Sequence, residues 1–300
     1  MPTVVVTGSE GLVGTALTDA LRGAGYAVRG LDLRAAGAAR GDTRVAADVA
    51  RAVDGADGVV HLAAVSRVVW GERDPDACWA TNVGGTDNVV AACVTATEAP
   101  WLVFVSSREV YGQATRLPVD EDAPLAPMNV YGRSKVEGER RVDSARSAGH
   151  RTAIVRLANV YGSIGDHDDR VVPAFARAAL AGRTLRVDGA EHTFDFTYID
   201  DAVEGLMRVI ERVSIGVPLP PIHLLPGRAV TLGELASLAI ELAGTQAQVV
   251  VGPPRSYDVA RFVGDPRRAE RLLGGWRAKV SVREGLGRLI AAYRAAAGEP

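Results

Sequence analysis

The sequence predicts an α/β protein: a doubly wound parallel sheet followed by a smaller mixed α/β unit. Three observations carry the prediction. Short apolar runs alternate with helix-length amphipathic segments over roughly the first 160 residues, the pattern of parallel strands joined by crossover helices. The first of those runs leads directly into a glycine-rich turn and a helix. After Gly162 the texture changes to short elements broken by proline.

The elements follow in order. Val4-Val5-Val6 is a buried strand, followed by Gly8-Ser9-Glu10-Gly11-Leu12-Val13-Gly14 and a helical pattern through Leu17, Ala20 and Leu21. Glycines in a strand–turn–helix context permit the tight turn and let a pyrophosphate approach the backbone, with the helix N-terminus facing the anion. The spacing is G-x-x-G-x-x-G, which alone also fits a plain tight turn. The next strand, residues 27–32, ends in Asp32, 18 positions beyond Gly14, where a carboxylate meets the adenosine ribose hydroxyls of a dinucleotide. Asp32 favours NAD, since it repels a 2′-phosphate; Arg34 keeps NADP as the less favoured alternative. A third strand is expected over Thr43–Ala47, closing on Asp48-Val49, and a fourth over Asp57–Leu62, ending in Ala63-Ala64. His61 reads as a satisfied core histidine. One helix is expected from about Asp76 to Ala92, carrying Asn82 and Thr86. The strand at 101–105 delivers Ser106 and Ser107 to its carboxyl end, where an open α/β sheet keeps its chemistry. A proline-rich loop (Pro118, Pro124, Pro127) precedes a helix beginning near Asn129, and a further strand at 152–157 ends in Ala158-Asn159-Val160-Tyr161-Gly162.

Beyond Gly162 a polar loop, residues 163–170, gathers His167 with Asp166, Asp168 and Asp169 and reads as a solvated loop rather than a metal site. Helices are expected at 173–181, 232–243 and 282–296, an extended stretch at 188–201 and a strand at 222–225. The expected division is a nucleotide-binding unit over 1–162, with a return segment near 194–225, and a mainly substrate-binding unit over 163–300. A formal net charge of −2 argues against a nucleic-acid surface. Cys78 and Cys93 are too few for a disulfide framework and lack metal-ligand spacing. With no apolar run near the ~20 residues that span a bilayer and no signal segment evident, the chain is expected to be cytoplasmic, without membrane contact.

The stretch Asn129-Val130-Tyr131-Gly132-Arg133-Ser134-Lys135 stands out. On a helix Tyr131 and Lys135 share a face one turn apart, and an ammonium that close favours the phenolate, lowering the phenol from its usual pKa of ~10. That arrangement makes a general acid/base working near neutral pH. Composition sharpens the point: Lys135 and Lys279 are the only lysines among 34 basic residues. A sequence that otherwise uses arginine has kept a compact ammonium here.

Taken together, Gly8-x-x-Gly11-x-x-Gly14, Asp32, Asp48-Val49, His61-Leu62-Ala63-Ala64, Asn82, Ser106-Ser107, Tyr131-x-x-x-Lys135 and Arg156-x-x-Asn159-Val160-Tyr161-Gly162 resemble the extended short-chain dehydrogenase/reductase family. The nearest likeness is to its NAD-dependent nucleotide-sugar epimerases and dehydratases. The resemblance spans nearly the full length and implies a Rossmann fold, NAD as cofactor, a nucleotide-sugar substrate and a homodimer. It implies Ser107, Tyr131 and Lys135 as catalytic residues. Gly8, Gly11, Leu12, Val13, Gly14, Asp32, Asp48, Val49, Leu62, Ala63, Ala64, Asn82, Tyr131 and Lys135 are implied around the cofactor. Ser107, Asn159, Arg255 and Asp258 are implied around the substrate. Of the two V-Y-G triplets only the second continues as Tyr-x-x-x-Lys, so Tyr111 is assigned to packing or a pocket wall.

The mechanism so implied has Tyr131 take a proton from a sugar hydroxyl, usually at C4, as NAD takes the hydride, while Ser107 holds the oxygen and Lys135 bonds the nicotinamide ribose. A 4-epimerase is the first expectation, and a decarboxylase or 4,6-dehydratase the second. The dehydratases write Asp-Glu after the catalytic Ser/Thr where this chain has Arg108-Glu109. Decarboxylases of nucleotide-linked glucuronic acid write Ser-Glu, and such a carboxylate suits an arginine. A second departure is Phe194, which stands where the family's R-D-F run has arginine. A ketone reductase that releases its cofactor, and a non-catalytic NAD-binding protein, are the alternatives from other classes.

Overall fold

The computed structural model describes residues 1–298. Its first half alternates strand and helix: β1 (Thr3–Thr7), α1 (Leu12–Gly23), β2 (Ala27–Leu31), α2 (Ala46–Val53), β3 (Gly58–His61), α3 (Val68–Arg73), α4 (Pro75–Trp79), α5 (Gly85–Thr95), β4 (Trp101–Ser107), α6 (Val130–Ser147) and β5 (Thr152–Leu157). The strands lie parallel in the order β5-β4-β3-β1-β2. Alternation along each strand assigns its two faces. Val4 and Val6 join Val103, Val105 and Val155 in one core layer, whereas Val5 joins Leu102, Phe104 and Ile154 in the other. The first layer is covered by α1 and the second by α2, α5 and α6.

The second half contains β6 (Val160–Tyr161), α7 (Val171–Leu180), β7 (Leu185–Asp188), β8 (Thr193–Phe194), β9 (Thr197–Tyr198), α8 (Ile199–Ser214), β10 (Ile222–Leu224), β11 (Val230–Thr231), α9 (Leu232–Ala243), β12 (Val249–Gly252), α10 (Arg267–Leu272) and α11 (Val282–Ala297). Part of it returns to the main sheet. β10 pairs parallel with β5 as the sixth strand, and α8 packs on α1, β4 and β5. The remainder forms three two-stranded ladders, β6·β9, β7·β12 and β8·β11, with α7, α9 and α11 packed on one another. A single buried apolar cluster runs from Val4 to Ile290 through both halves.

Buried polar groups join the two halves where β10 docks. Arg156 on β5 is gripped by Glu139 of α6 at 2.9 and 2.6 Å and donates to the Tyr111 hydroxyl at 2.6 Å. Tyr111 in turn meets His223 Nε2 of β10 at 2.6 Å. Burial holds His223 neutral, pushing its pKa down to about 3. Tyr111 is thus a packing residue, 1% exposed.

Three local expectations are corrected. Thr43–Ala47 is not a strand: the Arg44 N–H and guanidinium both bond the Asp42 carboxylate, forming a turn, and the chain enters α2 at Ala46. The single helix expected at 76–92 is α4 and α5 joined by a π-turn at Ala80–Gly84. Its start is fixed by Asp74, whose carboxylate accepts from the Ala77 N–H at 3.0 Å ahead of Pro75 at the first position. The extended stretch stops at Tyr198, because Ile199 onward carries a helical apolar stripe that buries Ala202, Leu206, Val209 and Val213.

Candidate active site

The carboxyl edge of the sheet collects the residues that matter, because in a parallel sheet every strand ends on the same side. β1 turns at Gly8 with φ +71, a conformation that needs no Cβ. A side chain at Gly8 would approach the Ala63 nitrogen to 2.8 Å, and one at Gly14 would approach the Gly8 carbonyl oxygen to 2.0 Å. These contacts force backbone against backbone, so the glycines are a packing requirement of the turn. α1 begins after Gly11 with no capping side chain and no acidic residue in its first turn. Its first amides are left for an anion.

Asp32 follows β2 and is fixed on both oxygens, accepting from the Glu10 N–H at 3.1 Å and the Arg34 N–H at 2.8 Å. The far wall of the turn is held by Thr7, whose hydroxyl oxygen accepts from the N–H groups of Leu62 and Ala63 at 3.2 and 3.1 Å. The Thr7 hydroxyl also meets His61 Nδ1 at 2.7 Å, while His61 Nε2 meets Thr86 at 3.0 Å. Burial pushes His61 down to about 3, so it is a neutral core histidine. Asn82 reaches Val65 from α4–α5, accepting from its N–H at 2.7 Å and donating to its carbonyl at 3.2 Å. A further bond to Ser134 at 2.9 Å ties the segment after β3 to α6.

α6 presents Tyr131 and Lys135. Its N-cap is Asn129, whose Oδ1 accepts from the Gly132 N–H at 2.7 Å. Lys135 Nζ is buried, donates to the Val105 carbonyl at 2.9 Å and lies 6.0 Å from the centre of the Tyr131 ring. Desolvation lowers the ammonium to about 8, so it remains largely cationic at neutral pH. The expected depression of Tyr131 does not hold. Burial pushes the phenol up to about 12, against the opposing pull of the Ser107 hydroxyl and the charge of Arg170. Lys135 donates its bond to the β4 backbone, and desolvation of the phenolate outweighs the pull of Ser107 and Arg170.

These groups share one cavity of about 780 Å³, within the range of small-molecule sites. Its wall includes Gly8, Gly11, Leu12, Val13, Gly14, Asp32, Leu62, Ala63, Ala64, Ser107, Tyr131, Lys135, Asn159, Arg255 and Asp258. Asp48, Val49 and Asn82 stand outside it. Asp48 accepts from the Asp42 N–H at 2.9 Å and pairs with Arg51, Val49 is fully buried in the core, and Asn82 acts through Val65. Asp42 and Thr43 occupy that edge instead. The turn, the free helix amides and the fixed Asp32 fit a dinucleotide carrying free ribose hydroxyls.

Sequence reasoning missed one wall. Arg67 and Trp70, after β3, face the loop 163–170. Arg67 pairs with Asp169, Arg170 donates to Ser66 at 3.2 Å, and His167 sits edge-on to Trp70 with centroids 4.8 Å apart. Each aspartate of that loop has an arginine partner: Asp166 with Arg170, Asp168 with Arg177 and Asp169 with Arg67. Among the described residues no group of three His, Cys, Asp or Glu side chains could hold a metal ion. The available signal was position, since both segments follow directly from carboxyl ends of sheet strands.

Arg108 and Glu109 form a buried pair at 2.8 Å. The other Glu109 oxygen accepts from Asn129 Nδ2 at 2.8 Å. The Arg108 guanidinium lies 4.4 Å over the ring of Phe194.

The sequence profile of the NAD dependent epimerase/dehydratase family matches residues 4–219. A UDP-glucose 4-epimerase of Mycolicibacterium smegmatis is 29% identical over 321 aligned positions, covering 97% of this chain and 98% of that one. UDP-glucuronic acid decarboxylase 2 of Arabidopsis thaliana is 30% identical, covering 97% of this chain and 68% of its own length. Among solved structures, MoeE5 in complex with UDP-glucuronic acid and NAD superimposes with a TM-score of 0.89 at 28% identity, over 98% of this chain and 99% of that one. With this family profile and these relatives covering nearly its whole length, the chain belongs to the NAD-dependent epimerase/dehydratase family.

Proposed function

We propose that the chain is a nucleotide-sugar 4-epimerase that works through a transient 4-keto sugar with NAD as its cofactor. The observation that carries this reading is the continuity of the cavity, which runs from the glycine turn and Asp32 past Ser107, Tyr131 and Lys135 to Arg255. A dinucleotide and a second ligand with an anionic end have one shared space. Gly8, Gly11 and Gly14 would bring the backbone against a pyrophosphate, and Asp32 would accept from the adenosine ribose. NAD, when bound, supplies the hydride acceptor and donor and a positive charge beside the phenol.

Every other step belongs to side chains of this protein. Ser107, whose hydroxyl favours the Tyr131 phenolate, orients the sugar hydroxyl. Tyr131 accepts the O4 proton during oxidation and returns it during re-reduction, which places one group in both roles. Lys135 remains a cation close to the ring, favouring the phenolate once a charge partner offsets its burial. Arg255 suits the nucleotide diphosphate through its planar fork.

Glu109 weighs against the 4,6-dehydratase reading. An elimination across C5 and C6 needs a free base, yet both Glu109 oxygens are engaged, one by Arg108 and one by Asn129. Incubation with UDP- and dTDP-sugars, followed by NMR of the products, should give C4 epimers without added NADPH. Turnover that depends on added NADPH would instead make the protein a reductase. Tyr131→Phe is expected to lower kcat by about 10³-fold or more, the scale of losing the acid/base and its orientation together, with an unchanged melting temperature. The reading includes the division into a nucleotide-binding unit and a substrate-binding unit. It also includes a homodimer, tested by sedimentation.

A further inference from the structure

Arg108 is a guanidinium of the cavity wall to which the reading above gives no role. It sits immediately after Ser107 in the chain. Its planar group lies 4.4 Å over Phe194 and 5.8 Å from the ring centre of Phe262. Aromatic rings against its faces leave only the in-plane N–H edges for polar contact. One edge is spent on Glu109, through Nη2 at 2.8 Å. Nη1 is buried and has no hydrogen-bond partner, a state that folded proteins ordinarily avoid. Burial raises two acids within reach of the Arg108 charge. Asp195 is pushed up to about 6 and Asp258 is shifted in the same direction, both despite the Arg108 charge.

We propose that Arg108 determines substrate specificity by binding the C6 carboxylate of a nucleotide-linked hexuronate, and holds that carboxylate in place while C4 is a ketone. The inference rests on the nucleotide-sugar reading above and adds the class of sugar. Adjacency to Ser107 favours the sugar end of the substrate. The residue beside the group that holds O4 is well placed for a substituent two carbons away, and Arg255 is available for the diphosphate.

Holding the carboxylate has a chemical consequence. Oxidation breaks the C4–H and O4–H bonds, sending the hydride to the nicotinamide and the proton to Tyr131, and leaves a 4-keto-6-carboxylate. That species is a β-keto acid. It loses carbon dioxide when the C5–C6 bond breaks and its electron pair moves into C5 and the ketone. A guanidinium bonded in the plane of the carboxylate keeps the negative charge on its oxygens and opposes that flow. Hydride and proton then return to C4 and O4 on the opposite face, giving the 4-epimer with its carboxylate intact.

The test uses binding and product identity together. In a Tyr131→Phe background loaded with NAD, UDP-glucuronic acid, UDP-glucose and UDP are titrated calorimetrically, with and without Arg108→Gln. The expected result is a preference for the uronate that falls at least tenfold in the Arg108→Gln protein. Arg108→Lys, which keeps the charge and loses the fork, should fall between. Should Arg108→Gln not fold, Phe194→Leu removes the ring against the guanidinium and is expected to reduce the same preference. With Tyr131 intact, UDP-glucuronic acid should yield the 4-epimer, and the Arg108→Gln protein should release pentose and carbon dioxide alongside it. Equal losses for all three ligands would move Arg108 to the diphosphate and overturn the proposal. An unchanged preference, or pentose as the main product of the unaltered protein, would overturn it too. Each of these outcomes leaves the nucleotide-sugar reading standing. No binding or turnover with glucose or glucuronate on either UDP or dTDP would sink both.

Discussion

Tyr131 and Lys135 are one helical turn apart, and burial disfavours the charged form of both, raising the phenol and lowering the ammonium. The Lys135 ammonium is fully buried with one carbonyl partner, and desolvation lowers it from 10.5 to about 8. Its folded pKa lies below its unfolded value, so the unfolded chain holds the proton more tightly between those limits. The penalty is therefore present in full below about pH 8 and fades as the pH rises toward 10.5. Lys135→Met is expected to abolish turnover while raising the stability of the ligand-free protein at pH 7 by about 1–3 kcal/mol. Denaturant titrations of both proteins should show that advantage shrinking between pH 8 and 10, and an advantage that stayed constant across that range would contradict a buried cation. The lysine's chemical identity was legible from composition, because arginine occupies almost every other basic position. Its cost was not legible, because burial depends on β4 and α6 closing over it. The same limit explains Asp48 and Val49, whose motif was readable but whose direction was decided by the Asp42–Arg44 turn.

At the scale of elements, sequence period and capping residues did most of the work where a segment packs on one side only. The helix expected at 232–243 is α9. Its start is fixed by the Thr231–Glu234 capping box and its end by Gly244 in the left-handed conformation. α8 was missed because its acidic first turn, Asp200-Asp201, follows aromatic residues that read as extended; only packing on α1 reveals the stripe beneath. β10 was legible as a strand, but its place beside β5 depends on the buried His223–Tyr111–Arg156 chain. α11 offers a sharp test of packing against propensity. A Cβ at Gly285 would come within 2.2 Å of the Tyr161 hydroxyl oxygen and 2.7 Å of the Tyr198 ring, whereas a Cβ at Gly287 meets nothing within 4 Å. Gly285→Ala is expected to destabilise by about 1–3 kcal/mol through overpacking. Gly287→Ala is expected to stabilise by about 0.5–1 kcal/mol through helix propensity. Equilibrium unfolding of the two single variants gives opposite signs if α11 is seated on Tyr161 and Tyr198 as described, and the same sign if it is not.

At the scale of the whole molecule the cavity is built by both halves of the chain. Gly8, Asp32 and Ala63 come from the sheet's first strands, while Arg170, Phe194 and Arg255 come from beyond Gly162. A ligand that fills it therefore bonds across the two, and the folded state gains free energy that neither half gains alone. For a ligand that binds only the folded chain at about 100 times its Kd, that gain is about 2.7 kcal/mol. In a protein of this size each kcal/mol is worth about 2–4 °C, so NAD should raise the melting temperature by about 5 °C or more. NADP should do markedly less, because the Asp32 carboxylate is pinned by the Glu10 and Arg34 N–H groups and cannot turn away from a 2′-phosphate. Thermal melts with each cofactor test this directly, and an NADP shift equal to that of NAD would mean that Arg34, rather than Asp32, governs the ribose. A nucleotide sugar added to the NAD-saturated protein should raise the temperature again. On the proposed reading the second ligand would meet a cavity already part-filled by the first, with Arg255 in its wall for the anionic end. A second shift seen only when NAD is present would show the two halves closing on both ligands as one unit.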